Sequence, residues 1–190
     1  MRQCAPRFFL PSAALLLALV VACSAGPPTL ARSVPSPSIP AARSGFTLTS
    51  DDFVQGGIIP KLFTCDGENK SPELKWGPVP AGTRSFSLIM EDPDAPGGTF
   101  THWVAFDIPP TVTELPEGAQ TIAKGGLNGT GKLGYTGPCP PSGTHRYVFT
   151  LYALDIPSLS LANGAARTDV TKALMPHVAA EAQLTARYSR

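Results

Sequence analysis

Two histidines and one carboxylate stand where predicted strands begin or end, and these side chains could do chemistry. Asp92 directly follows one predicted strand, whereas His102 and His145 each open another. An imidazole can donate N–H groups to an anion, and turn amides can add further donors. A carboxylate beside an anion is repulsive unless it is protonated or paired, so we expect Asp92 to orient and protonate a histidine. These residue types predict a small anion pocket.

The same residues allow enzymatic alternatives. Two histidines and a carboxylate could form a metal site of the facial-triad kind, although no His-x-Glu or Glu-x-x-His spacing supports it. Ser142, His145 and Asp92 could act as a hydrolase triad, but the sequence lacks the Gly-x-Ser-x-Gly turn that exposes such a serine. Residues 126–132 nearly match a phosphate-binding loop, which we reject because Leu133 stands where a Mg²⁺-binding Ser or Thr is required. A metal- or histidine-dependent hydrolase of phosphate esters or peptides therefore stays the alternative to a binding protein.

Three predicted strands must position these groups. Ser85–Glu91 and Thr101–Ile108 alternate with period two, and Arg146–Leu154 is apolar on both faces, as expected of a central strand. Because a short loop joins the first two strands, we expect Asp92 and His102 at the same edge of a sheet. The residues expected to share one face of the second strand are His102, Val104, Phe106 and Ile108.

Composition and patterning favour a mainly β protein. Pro 21 and Gly 18 of 190 residues favour short strands and many turns and exclude an all-helical bundle. Lys+Arg 15 against Asp+Glu 14 gives no indication of nucleic-acid binding. One helix is predicted over Thr168–Glu181, with Val170, Leu174 and Val178 on one stripe and Pro176 as a kink or break. A last strand is expected over residues 183–189.

The N-terminal region is typical of an exported lipoprotein. Residues 1–22 combine a basic start with an apolar run that is too short for a membrane span, as in a secretory signal peptide. The residues Val-Val-Ala before Cys23 resemble the lipobox of bacterial lipoproteins, in which the cysteine is lipidated after cleavage. Residues 23–44 comprise this cysteine and a tether rich in Pro, Ser and Ala. We therefore expect a folded domain over 45–190, held by a lipid at the periplasmic face of the outer membrane or at the cell surface.

Two cysteines are left once the signal peptide and the lipidation site are set aside. Cys4 lies in the signal peptide and Cys23 takes the lipid, so Cys65 and Cys139 remain for the folded domain. An even pair of cysteines in an exported domain predicts a disulfide. Two free, buried thiols are the alternative.

Three separated motifs carry a resemblance to a known family. They are Asp92–Pro96, Thr101–Trp103 and Tyr135–Tyr147, with further matches at Cys65 to Pro72 and Leu74 to Trp76. In this order the motifs resemble the signature regions of the phosphatidylethanolamine-binding protein family. The sequence is most similar to the bacterial, Raf-kinase-inhibitor-like YbhB/YbcL branch, over the chain from about Phe46 to Arg190.

The resemblance implies an antiparallel β-sandwich with a few short helices, one of them near the C-terminus. It also implies a small anion pocket for phosphate or phospholipid-type head groups, without a cofactor, metal or catalytic residue, so that the protein is expected not to be an enzyme. Its partners would be a phosphoethanolamine-like head group, the membrane through the lipid anchor, and an unidentified protein modulated in a kinase- or protease-inhibitor-like manner. Nucleic acid is not among them. The implied pocket residues are Asp92, Asp94, His102, Pro140, Pro141, His145 and Tyr147.

Overall fold

The computed structural model describes residues 45–119 and 123–190, which include every strand predicted around the candidate site. The predicted signal peptide, the lipidation site Cys23 and the tether up to residue 44 lie outside the described residues. Within the described part of the chain, no helix is both long and apolar enough to cross a membrane. The elements in chain order are β1 (Thr47–Thr49), a 3₁₀ turn (Lys61–Phe63), β2 (Leu74–Gly77), β3 (Ser85–Asp92), β4 (Phe100–Ile108), β5 (Glu114–Leu115), β6 (Lys124–Leu127), β7 (Thr144–Leu154), β8 (Ala165–Ala166), α1 (Arg167–Leu174), a second 3₁₀ turn (Met175–His177) and β9 (Val178–Ser189).

The strands of the described residues form two sheets. The larger sheet has six strands in the order β8-β6-β4-β3-β7-β9, and the smaller has three in the order β1-β2-β5. All pairings are antiparallel except that of β6 with β8. β3 and β7 lie in the centre of the larger sheet, and β7 is buried on both faces in its second half. The mainly β, antiparallel fold with one short helix near the C-terminus is therefore confirmed.

Two apolar clusters cover the two faces of the larger sheet. On one face, Phe86 of β3 packs against Phe46, which directly precedes β1, and against Trp76 of β2, with ring centroids 6.1 and 5.5 Å away. On the other face, Phe106 of β4 is buried in one cluster with Val170 of α1. Burying such side chains away from water supplies the main driving force for folding. The central strands are thereby held rigidly, and so are the residues at their ends.

The helix prediction is wrong in its second half. α1 ends at Leu174, and β9 begins at Val178, which was expected on the helical stripe. Pro176 has no N–H to continue the helical hydrogen bonds, and it lies in the second 3₁₀ turn. The residues after it alternate between buried and exposed, with Ala180 and Leu184 facing the core. The final strand is therefore longer than the expected 183–189, because a period of two continues back to Val178.

The predicted common face of β4 is also wrong, because two irregularities interrupt the alternation. Met90 of β3 pairs with Trp103, but the next residue, Glu91, pairs with Thr101, so β4 holds one extra residue at His102. A second register shift lies next to Asp107, whose φ is 55°. A bulge of this kind redirects the side chains that follow it. Val104 and Phe106 therefore pack towards α1, whereas Trp103, Ala105 and Ile108 pack towards the smaller sheet.

Candidate functional site

A buried carboxylate–imidazole pair forms the base of the candidate site. Asp92 ends β3 and His145 lies at the start of β7, and 2.7 Å separates Asp92 Oδ2 from His145 Nδ1. Their exposed fractions are only 4% and 7%. The other oxygen, Asp92 Oδ1, accepts a hydrogen bond from the backbone N–H of Asp94 at 2.8 Å. With Nδ1 directed at the carboxylate, Nε2 is the nitrogen of His145 that can meet a ligand.

His102 is held by the backbone of a distant loop. Its Nδ1 lies 2.6 Å from the carbonyl oxygen of Thr136, which can only accept, so Nδ1 carries a proton and donates it. The ring stands edge-on to the rings of Phe100 and Tyr147, with centroids 4.9 and 5.2 Å away. Burial lowers the pKa of His102 below its ordinary value of 6.5. His102 is therefore neutral at pH 7, with its Nε2 unprotonated.

The segment from Gly137 to Pro141 forms one wall of the site and is bound to the turn that follows the first 3₁₀ turn. Gly137 N–H donates to Asn69 Oδ1 at 2.7 Å, and a disulfide joins Cys139 to Cys65. The predicted disulfide is thus present in the structure. A Cβ at position 137 would lie 2.5 Å from the carbonyl oxygen of Phe63, so only glycine allows this close approach. The wall is therefore preformed.

These elements enclose a cavity of about 280 Å³. It is small, close to the lower limit for ligand pockets, and large enough for a phosphate or a compact head group. None of its lining residues is Lys or Arg, so the two imidazoles and the Asp92 carboxylate supply its titratable groups. The lining residues are Asp92, Ala95, Phe100, His102, Thr130, Thr136, Gly137, Cys139, Pro140, Pro141 and His145.

Five of the seven predicted pocket residues lie together in this lining, and two do not. Asp94 lies outside it, where its carboxylate accepts hydrogen bonds from the backbone N–H, Nε and Nη2 of Arg146 at 2.9, 2.8 and 2.6 Å. The guanidinium of Arg146 lowers the pKa of Asp94, so this carboxylate stays ionised and fastens its loop to β7. Tyr147 is fully buried beneath the lining, where its ring supports that of His102. Burial raises the pKa of the Tyr147 phenol.

Sequence reasoning missed the residues that organise the loop between β6 and Thr136. Asn128 is 5% exposed, and its Nδ2 donates to the Gly134 carbonyl and to Thr136 Oγ1 at 3.1 and 2.9 Å. Its Oδ1 accepts from the N–H and hydroxyl of Thr130 at 2.9 and 2.7 Å. Thr130 and Thr136 both line the cavity. An Asn-Gly pair in a loop signals such side-chain-to-backbone turns, and this signal was available in the sequence.

Within the described residues, the serine of the hydrolase alternative is not joined to its proposed partners. Ser142 lies outside the cavity lining, and in the described structure no hydrogen bond joins it to His145. Among residues 45–119 and 123–190, no group of three or more His, Cys, Asp or Glu side chains is placed to hold a metal ion. The assembled chemistry is a paired carboxylate and two imidazoles around a small cavity.

The described residues combine a mainly antiparallel β fold with a small cavity at the ends of β3, β4 and β7. The phosphatidylethanolamine-binding protein family profile matches residues 49–189, and the chain belongs to this family. Two solved structures, from Chlamydia trachomatis and E. coli, place it in the bacterial, YbcL-like branch.

Similar proteins come from bacteria and archaea. The UPF0098 proteins of Aquifex aeolicus and Methanothermobacter thermautotrophicus are 47% and 48% identical; the matches cover 74% and 75% of this chain and 86% and 98% of theirs. Among solved structures, a putative phosphatidylethanolamine-binding protein homologue of Chlamydia trachomatis is 41% identical with a TM-score of 0.73, covering 76% of this chain and 97% of its own. YbcL of E. coli is 34% identical with a TM-score of 0.72, covering 76% and 98%.

Proposed function

We propose that the protein captures phosphate or a phospholipid-type head group in the cavity between Asp92, His102 and His145. The observation that supports this most directly is the buried Asp92–His145 pair, with 2.7 Å between carboxylate and imidazole. Because Nδ1 of His145 faces this carboxylate, its Nε2 is left to hydrogen-bond a ligand in the cavity. Family membership supports a binding protein with phospholipid-type ligands.

The charge of the site favours a zwitterionic ligand over a free dianion. His102 is neutral and no Lys or Arg lines the cavity, so the lining holds no fixed positive charge for a dianion. A zwitterion such as phosphoethanolamine brings its own ammonium group, which can approach Asp92 while the phosphate meets the imidazoles. We therefore expect phosphoethanolamine to bind more tightly than inorganic phosphate.

An NMR titration with phosphoethanolamine and inorganic phosphate tests the proposal. Saturable shifts should be confined to the backbone amides of the loops 92–102 and 136–145, which surround the cavity. If neither ligand moves these amides at millimolar concentration, head-group binding is refuted for this protein, and hydrolase assays with phosphate esters come next.

Anion binding should strengthen as the pH falls from about 8 to about 5.5, because it is linked to protonation of a histidine. In the empty site His102 Nδ1–H is bound to Thr136 and Nε2 is unprotonated, so Nε2 must take up a proton before it can donate to an anion. Sulfate is the suitable probe because it does not titrate in this range. Calorimetry should show its affinity rising by up to about tenfold per pH unit.

His102→Gln supplies the control for this linkage, since it removes one titrating group and leaves His145 in place. Its sulfate affinity should depend less steeply on pH than that of the unmodified protein. An unmodified protein whose sulfate affinity is flat, or rises towards alkaline pH, would contradict the linkage.

We also propose that the protein is exported and anchored by a lipid at Cys23, on the support of the signal-like residues 1–22 and the lipobox-like residues before Cys23. Cys23→Ala should release the protein from the membrane fraction into the soluble exported fraction, and intact-mass analysis should show the loss of the acyl chains. Membrane retention of the variant at the unmodified level would refute the anchor.

Occupancy of the cavity would then modulate a protein partner at the membrane. The rims of the cavity are loops, and loops on rigid scaffolds commonly carry recognition. Comparison of the proteins captured with and without phosphoethanolamine tests this step, and capture that is independent of the ligand would refute it.

A further inference from the structure

The Cys65–Cys139 disulfide lies at the surface and at the cavity at the same time. Both cysteines are exposed, and Cys139 is part of the cavity lining. The wall that carries the disulfide has other attachments, since Cys65 N–H donates to the Pro138 carbonyl at 3.1 Å and Tyr135 donates to the Phe63 carbonyl at 2.8 Å. Opening the S–S bond therefore leaves the wall attached, and exposed disulfides are the ones that exchange with external thiols.

A cationic side chain lies directly against one of the two sulfur atoms. Arg190 directs its Nη1 at Cys139 Sγ, at 3.4 Å, and its Nη2 lies 2.8 Å from Oδ1 of Asp66. Backbone hydrogen bonds with Gly143, at 3.1 and 3.2 Å, hold Arg190 in this position. Asp66 is the residue that directly follows Cys65. A guanidinium stabilises a thiolate at Cys139, and in the described structure the hydrogen bond from Arg190 reaches this sulfur and not that of Cys65.

We propose that Cys65 is a site of thiol–disulfide exchange and that Cys139 is its leaving group. The thiolate of a low-molecular-weight thiol attacks Cys65 Sγ, a new S–S bond forms there, and the electron pair of the broken bond passes to Cys139 Sγ. A second thiol then attacks the mixed disulfide, which releases Cys65 as a thiol and the small molecule as its own disulfide. Two external thiols are thereby oxidised as one protein disulfide is reduced.

Exchange would place a thiolate in the lining of the ligand cavity. A negative charge at Cys139 adds to that of the Asp92 carboxylate, so anions should bind several-fold more weakly after exchange. This consequence rests on the proposed head-group binding, whereas the exchange itself does not. If neither phosphoethanolamine nor phosphate binds before reduction, the proposed function is refuted, and the exchange reaction is judged by the thiol-mapping test alone.

The test maps where a monothiol attaches. The whole protein is incubated with a limiting amount of glutathione, acid-quenched, alkylated with N-ethylmaleimide and digested with trypsin, which places the two cysteines on separate peptides, 62–70 and 133–146. Glutathione is expected on Cys65 and maleimide on Cys139, in about fivefold excess over the reverse arrangement. An equal distribution, a preference for Cys139, or exchange that proceeds only at the rate of global unfolding would overturn the proposal.

Variants of Arg190 test whether its positive charge controls the rate and the site of thiol–disulfide exchange. Arg190→Gln should slow the first exchange step about threefold and weaken the preference for Cys65, whereas Arg190→Lys should retain most of both. Arg187→Gln is the matched control, because Arg187 carries the same charge three residues earlier, in β9, and hydrogen-bonds to neither sulfur in the described structure. Equal slowing in Arg187→Gln and Arg190→Gln would also overturn the proposal.

Discussion

Replacing His145 by glutamine should weaken the binding of phosphoethanolamine about 10- to 100-fold. The variant loses the imidazole that faces the ligand, and it removes the 2.7 Å hydrogen bond between the His145 ring and the buried Asp92 carboxylate. The loss of a hydrogen bond to the ligand and a buried carboxylate without its imidazole partner both weaken the binding of an anionic group. Calorimetric titration of the variant against the unmodified protein measures the loss, after the NMR spectrum has shown that the variant is folded.

His177→Gln is the matched control for this prediction. His177 Nδ1 lies 3.0 Å from Asp155 Oδ1, so the protein contains a second pair with the same chemistry, but this pair is exposed and far from the cavity lining. Solvent screens an exposed pair, and its loss should leave ligand affinity unchanged. If His145→Gln binds phosphoethanolamine as well as His177→Gln does, the Asp92–His145 pair is not part of a binding site.

Removing the disulfide should lower the free energy of unfolding by about 4 kcal/mol. Cys65 and Cys139 are separated by 74 residues, so the bond closes a long loop and restricts the unfolded chain strongly. Cys65→Ala combined with Cys139→Ala tests this, with urea unfolding followed by circular dichroism. The unmodified protein in excess reductant should lose a similar amount, since both treatments remove the same restriction.

The folded structure itself should survive this change. Asn69, Tyr135 and the backbone of Pro138 keep the cavity wall attached through hydrogen bonds that do not involve sulfur. A loss of less than about 1 kcal/mol would show that the loop is already restricted in the unfolded chain. Complete unfolding of the double variant at room temperature would show that the wall depends on the bond.

Asp92 and His102 were predictable as neighbours because the distance between them along the chain is short. A tight loop rich in Pro and Gly joins β3 to β4, and antiparallel neighbours joined in this way must end at the same edge. The alternation of β3 and the apolar pattern of β7 likewise predict strands from information within a few residues. The cysteine pair was predictable by counting and by the expected exported location.

The bulge at His102 was not predictable from the same pattern. A period of two places His102 with Val104, but the extra residue in β4 lets His102 and Trp103 both pack towards the face that carries Tyr147. Which strand position accepts an extra residue depends on the register against β3, and register is a property of the assembled sheet. The His102 imidazole therefore lines the cavity because the bulge interrupts the alternation from which β4 was predicted.

The sequence by itself determined the residue types of the site, the strands that carry them and the turns between those strands, because these depend on side-chain chemistry and short-range backbone preferences. The tertiary structure decided which side chains of the site contact one another. Asp92 meets His145 across 53 residues, His102 meets Thr136 across 34, and Asp94 is withdrawn from the cavity by Arg146 across 52. Each of these contacts requires strands distant in the chain to pack in one register, which burial of the shared core imposes and no local pattern records.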